Sequence, residues 1–175
     1  MISSTQTTEK LALKPLSKSG IDAALEKAEQ YRFLNQPRLA ESICLDILAV
    51  EPGHQKASVV LLLALTDQFG QSSSKTATQA KDIANSLSDE YDRVYYTGII
   101  HERQGSASLQ ARTHGSDFDA YEWYTEAMEY YEKADAINPN SKNDDPILRW
   151  NTCVRIIAEN HLRQRPLDDL LPALE

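Results

Sequence analysis

Apolar residues recur at three- and four-residue steps along most of the chain, the spacing that puts side chains on one face of a helix. Ala24, Ala28 and Tyr31 form one such stripe, predicting a helix from Ile21 to about Asn35. Asn35-Gln36-Pro37 breaks it, with Pro37 suited to the first turn of the next helix. Ala40, Ile43, Cys44, Ile47 and Leu48 then mark a second helix over Arg38–Val50, ended by Glu51-Pro52-Gly53. From Gln55 to Phe69 the run Val59–Leu65 is apolar nearly all round, as expected of a helix sandwiched inside a stack. A flexible Gly70–Ser74 turn leads to a helix over Thr76–Leu87 carrying Ala80, Ala84 and Leu87, and Ser88-Asp89 supplies a break and a cap. No strand-type alternation of any length appears, and six glycines are few for folds that need many tight turns.

The second half continues in the same way. A helix is predicted from about Asp89 through Val94, Tyr95, Gly98, Ile99 and Glu102 to Gln104, with Gly105 as its terminator. Ser106–Ser116 has no core pattern and reads as irregular. Asp117 or Asp119 is positioned to cap a helix running to about Asn138, and a polar connection follows. Asp145-Pro146 opens a last amphipathic helix to about His161, with an aspartate cap and a first-turn proline. Residues 1–20, rich in Ser, Thr and Lys, read as a flexible segment whose Leu11, Leu13 and Leu16 could pack onto the first helix. Residues 162–175 form a leucine- and proline-bearing tail that resembles a short linear motif.

One spacing occurs twice. Ala127, Tyr131, Ala134 and Pro139 follow at steps of four, three and five, and so do Ala40, Cys44, Ile47 and Pro52. Small residues let a second helix approach closely, a large ring fills the space between them, and proline ends the unit. With Tyr31 in the first unit and Gly98 in the third, this pattern resembles the tetratricopeptide repeat, a helix–turn–helix unit of about 34 residues. The middle unit departs from it, lacking the closing proline and carrying a longer turn.

The resemblance implies an all-α fold: a right-handed α-α superhelix of about three helical hairpins over residues 21–161, closed by a C-terminal capping helix. It also implies a non-enzymatic interaction module in which the first helix of each pair lines a concave groove for a peptide segment of a partner. By repeat register that groove takes Arg32, with Asp22, Leu25 and Glu29, from the first unit. Lys56 and Leu63, with Val59 and Thr66, come from the second, and Tyr95, Ile99, Glu102 and Arg103, with Asp92, from the third. Trp150 and Val154 come from the last helix. Some members of the family clamp a terminal carboxylate with Lys, Arg and Asn. Here only Lys56, with Arg32 or Asn151, could contribute, and that clamp is not expected.

Charge sharpens the picture of partners. The chain carries a net −8, and residues 117–145 hold nine acids against Lys133 and Lys142. Such a face repels phosphate backbones, so no nucleic-acid partner is expected. No apolar run is long enough to span a bilayer and no secretory h-region opens the chain, so no membrane partner and a cytoplasmic location are expected. Cys44 and Cys153 sit on apolar faces and read as small buried hydrophobes. The four histidines are scattered, no cysteine or histidine cluster has metal-ligand spacing, and neither a phosphate-binding glycine loop nor a nucleophile–base pair is evident. Neither catalysis, nor a metal, nor a cofactor is expected. Two further readings stand beside the peptide groove: homo-oligomerisation through the last helix and tail, and an accessory subunit that docks an enzyme through its acidic 117–145 face.

Overall fold

A computed structural model of the chain describes residues 12–71, 74–139 and 142–166. Among these residues there is no strand. A short 3-10 turn, Lys18–Gly20, precedes seven α-helices: α1 Ile21–Phe33, α2 Pro37–Val50, α3 Gln55–Thr66, α4 Ser74–Ser86, α5 Glu90–Ala111, α6 Ser116–Ile137 and α7 Asp145–Glu159. Each helix packs on the next in sequence, and α1 also touches α3. Contacting helices joined by three- or four-residue links, as α1–α2, α2–α3, α4–α5 and α5–α6 are, must run antiparallel.

The local chemistry of the ends accounts for these boundaries. Pro37 lies in the first turn of α2, and Asn35 (φ 56°) makes the left-handed turn that separates α1 from it, a conformation asparagine tolerates. His54 caps α3 by accepting the Ala57 N–H at Nδ1 (3.2 Å), and Asp89 caps α5 by accepting the Asp92 N–H (3.1 Å). Asp117 and Asp119 do not cap α6, whose N-cap is Gly115 without a side-chain bond; they occupy its first turn, where the helix dipole favours carboxylates. At α7 the side-chain bond comes from Asn143, whose Oδ1 accepts the Asp145 N–H (3.1 Å), and Pro146 follows in the first turn.

The expectation of irregular chain over 106–116 holds only for residues 112–115. Helix α5 passes straight through Gly105 and continues to Ala111. Glycine stops a helix only where its left-handed freedom is used. Here Gly105 is helical and the freedom is used later, at Arg112 (φ 49°) and Gly115 (φ 80°). What Gly105 supplies is space. A Cβ there would lie 3.0 Å from ring carbons of Tyr124, whose hydroxyl is 2.9 Å from Ser106 Oγ. Gly98 does the same one heptad earlier, where a Cβ would lie 2.7 Å from Tyr131 Cε1.

Two apolar clusters result. The first gathers Leu25, Ala28, Ala40, Cys44, Ile47, Leu61, Leu62, Leu65, Ala80, Ala84 and Ile100 from α1 to α5. The second gathers Tyr95, Ile99, Ala120, Tyr124, Ala127, Tyr131, Ala134 and Cys153 from α5 to α7. Leu63 and Tyr96 touch both, so the core is continuous. Both cysteines are free and buried, and burial pushes each thiol up to about 12. Leu16 packs on the first cluster whereas Leu13 is exposed; Leu11 lies outside the described residues. After α7 the chain stays attached through residue 166: Leu162 is buried in the second cluster and Arg165 pairs with Asp119 of α6. The leucines from 167 onward lie outside the described residues.

Tyr131 cannot swing away from an added methyl, because it is fully buried and its hydroxyl is held by Glu102 at 2.6 Å. Gly98→Ala is therefore expected to lower unfolding free energy by about 1–3 kcal/mol in urea titrations. Gly53→Ala, with nothing within 4 Å of its Cβ, should not destabilise. Equal effects would contradict the packing.

Candidate functional site

Three of the residues assigned to a groove, Tyr95, Ile99 and Glu102, come together on α5 but are buried, Ile99 at 2 % exposure. Tyr95 and Glu102 belong to a polar knot inside the second cluster, and Ile99 packs in that cluster beside them. Glu102 accepts from the Tyr131 hydroxyl (2.6 Å) and, through both oxygens, from Arg149 Nη1 (3.1 Å each). Arg149 Nε donates to the Tyr95 hydroxyl at 3.0 Å. Burial first, then the Glu102 carboxylate, push the Tyr131 phenol well above its ordinary pKa, so it remains a donor. Burial opposes the Arg149 charge, but Glu102, Tyr131 and Tyr95 outweigh it and raise its pKa. This knot fixes α7 against α5 and α6. Sequence reading missed Arg149, which lies 47 positions from Glu102 with no local pattern linking them.

Arg32 and Arg103 are brought together elsewhere. The C-terminal ends of α1 and α3 meet the C-terminal half of α5 at a polar cavity of about 320 Å³ lined by Asn35, Thr66, Gln71, Ser106, Gln110 and the two arginines. Asp67 lies between them. Arg32 Nε donates to Asp67 Oδ2 at 2.9 Å, while Arg103 Nη2 stands off at 3.8 Å from Oδ1. Arg103 Nε is buried without a hydrogen-bond partner. One carboxylate between two guanidinium groups leaves a local excess of positive charge and an unmet donor beside an open cavity. Asp67 was absent from the sequence reading because the helix was expected to run on to Phe69 and its partner Arg32 lies 35 positions away, with no local pattern linking them.

Two further depressions adjoin this one. One is lined by Asn35, Pro37, Arg38, Leu39, Gln68 and Gln71, the next by Arg38, Glu41, Ser42, Leu45 and Gln68. Shared lining residues join the three into a run across the α1–α2 turn. Gln68 anchors its floor, donating to Glu41 Oε2 (2.8 Å) and to the Ala64 carbonyl (3.1 Å). Leu39 and Leu45 are nearly half exposed along it.

The remaining assigned residues stand apart. Lys56 is exposed near the start of α3, and Leu63 bridges the two apolar clusters. Trp150 lies on α7, its Nε1 donating to Glu132 Oε1 at 3.0 Å. On the other side of α5, His101 is buried against Trp123 and Tyr130, with Nδ1 2.7 Å from Glu126 Oε2. Burial lowers its pKa, Glu126 partly offsets this, and Lys81 adds to the lowering. Among the described residues no group of three or more His, Cys, Asp or Glu is placed to hold a metal ion, and no helix is long and apolar enough to cross a membrane. No protein-family model matches the chain, and neither does any curated protein or solved structure.

Arg149→Met strands the Glu102 carboxylate inside the protein. Loss of about 3 kcal/mol is expected, the low end for a broken buried pair because Arg149 keeps 31 % of its side-chain surface. Glu102→Gln combined with Arg149→Met should cost less than the sum of the two single changes; additivity in urea titrations would rule out direct coupling.

The sign of the His101 contribution follows from its lowered folded-state pKa. Below about pH 6.5 the unfolded chain takes up this proton more readily than the folded one, so stability falls on acidification. The fall between pH 7 and 5.5 should be shallower in His101→Gln, as measured by the urea midpoint. An unchanged slope would mean that His101 is not responsible.

Proposed function

We propose that the chain is a non-enzymatic protein-interaction module whose α1–α2, α3–α4 and α5–α6 pairs are tetratricopeptide-like repeats wound into a right-handed superhelix, with α7 as the capping helix. Support comes from equivalent positions doing equivalent work. Ala40, Cys44 and Ile47 of α2 and Ala127, Tyr131 and Ala134 of α6 are all buried at the helix contacts. The polar part of the groove sits at the converging ends of α1 and α3 and on α5, the first helices of each pair, and its apolar extension runs over the start of α2; a cytoplasmic setting suits such a module.

The observation that carries this reading is the polar cavity around Arg32, Asp67 and Arg103. Its unmet Arg103 donor, its amide side chains and the adjoining half-apolar depressions suit an extended peptide. Guanidinium groups form their strongest hydrogen bonds with carboxylates, so the partner segment carries an aspartate or glutamate that seats against Arg103, beside the Arg32–Asp67 pair. Leu39 and Leu45 supply apolar contact further along.

Selection of binders from a random peptide display library tests the idea. Recovered sequences should be enriched in acidic residues flanked by apolar ones. Their affinity should drop by about tenfold or more, roughly 1.4 kcal/mol, in Arg32→Gln/Arg103→Gln. Asp67→Asn, which removes the competing internal carboxylate, should strengthen them. Binders indifferent to all three changes would overturn the assignment.

A further inference from the structure

The seam between α6 and α7 presents a second, chemically opposite surface. A slot of about 160 Å³ opens there, lined by Tyr131, Glu132, Asp135, Pro146, Ile147 and Trp150. Ile147 of its lining, Ile137 at the end of α6, and Leu148 and Val154 of α7 are 37–59 % exposed, so both helices that form the slot carry exposed large apolar side chains. Isolated exposed leucines are ordinary, but a cluster around a preformed slot marks a contact surface. Trp150 is held in place by its bond to Glu132, so one wall of the slot is a fixed aromatic ring. The rim is acidic. Glu132 and Asp135 flank the slot, and Asp144 and Asp145 are exposed at the start of α7. No lysine or arginine among the described residues pairs with Glu132 or Asp135.

The protein itself shows what such a surface accepts. At the other end of α6 the chain segment after α7 lays Arg163 and Arg165 over the ring of Phe118, at 5.9 and 5.3 Å. Arg165 also pairs with Asp119 and stands 3.9 Å from Glu122. There the combination of aromatic ring and paired carboxylates on α6 is already filled by cationic side chains. The ring of Trp150 with Glu132 and Asp135 repeats that combination and adds a slot for methylene groups. A cation against an aromatic face gains more when partly withdrawn from water, and the alkyl stem of lysine or arginine packs on apolar walls while its head stays at the rim.

We propose that the α6–α7 slot takes a lysine or arginine side chain from a basic amphipathic segment of another protein. The cationic head sits between Glu132 and Asp135, its stem lies against Trp150 and Ile147, and apolar residues of the segment cover Leu148 and Val154. This site is separate from the Arg32–Arg103 cavity and takes the opposite charge, so it does not rest on the acidic-peptide reading.

The probe is a fluorescein-labelled synthetic amphipathic helix of leucine and arginine, with a control peptide in which every arginine is glutamine. Binding is read by anisotropy at low and moderate salt, and by Trp150 emission in a Trp123→Phe background. Glu132→Lys/Asp135→Lys should raise the dissociation constant by about tenfold or more. Glu26→Lys/Asp82→Lys, which changes net charge equally but on α1 and α4, should change it by less than about threefold. Binding should also shift Trp150 emission to shorter wavelength. Equal weakening by both double variants would mean general attraction to an acidic protein and would overturn the proposal. So would an unshifted Trp150, a glutamine control that binds as tightly, or no binding of the arginine peptide at all. Circular-dichroism melts of each variant exclude loss of folding as the cause.

Discussion

Helices α5 and α6 lie against one another because two gaps in one are filled by two rings of the other. Gly98 faces Tyr131 and Gly105 faces Tyr124, each pair close enough that a single added methyl group would collide. The glycines are seven residues apart and so are the tyrosines, in opposite order, the register of antiparallel helices meeting knob into hole. Small residues on α6 complete the fit, with Ala120, Ala127 and Ala134 all fully buried. The close approach places Glu102 under Tyr131, and Arg149 of α7 then reaches it. The position of the last helix, and of the slot beside it, depends on this one contact.

The same contact shapes the polar cavity. Because α5 does not stop at Gly105, it extends past the ends of α1 and α3 and carries Ser106, Ala107 and Gln110 to the cavity wall. Had the helix ended there, Arg103 would sit in the last turn of α5. Charge is divided accordingly: an arginine-rich pocket at the α1–α3–α5 junction, and acidic side chains around an aromatic wall at the α6–α7 seam. A protein of net −8 thus carries local charge of opposite sign at two separate places.

Much of the helical layout was legible because apolar side chains at three- and four-residue steps have few other ways to leave water. The breaks at Pro37, Pro52 and Asp89 were legible because proline and capping aspartate act through local bonds. Gly105 was not, since the same residue type both ends helices and lets them cross, and only the partner ring decides between those uses. Arg32 and Arg103, expected to share a surface, do line one cavity, but Asp67 between them was not foreseen, and Glu102, assigned with them, is buried. Burial of a charged residue depends on its counterion, and Arg149 is brought to Glu102 only by the tertiary fold.

A double-mutant cycle at the second crossing tests the packing most directly. Gly105→Ala and Tyr124→Leu should each destabilise the protein, and the pair should cost at least about 1 kcal/mol less than the sum, because the smaller side chain makes room for the methyl group. Strict additivity would mean that Gly105 and Tyr124 do not share the space assigned to them, and the account of how α5 and α6 meet would be wrong.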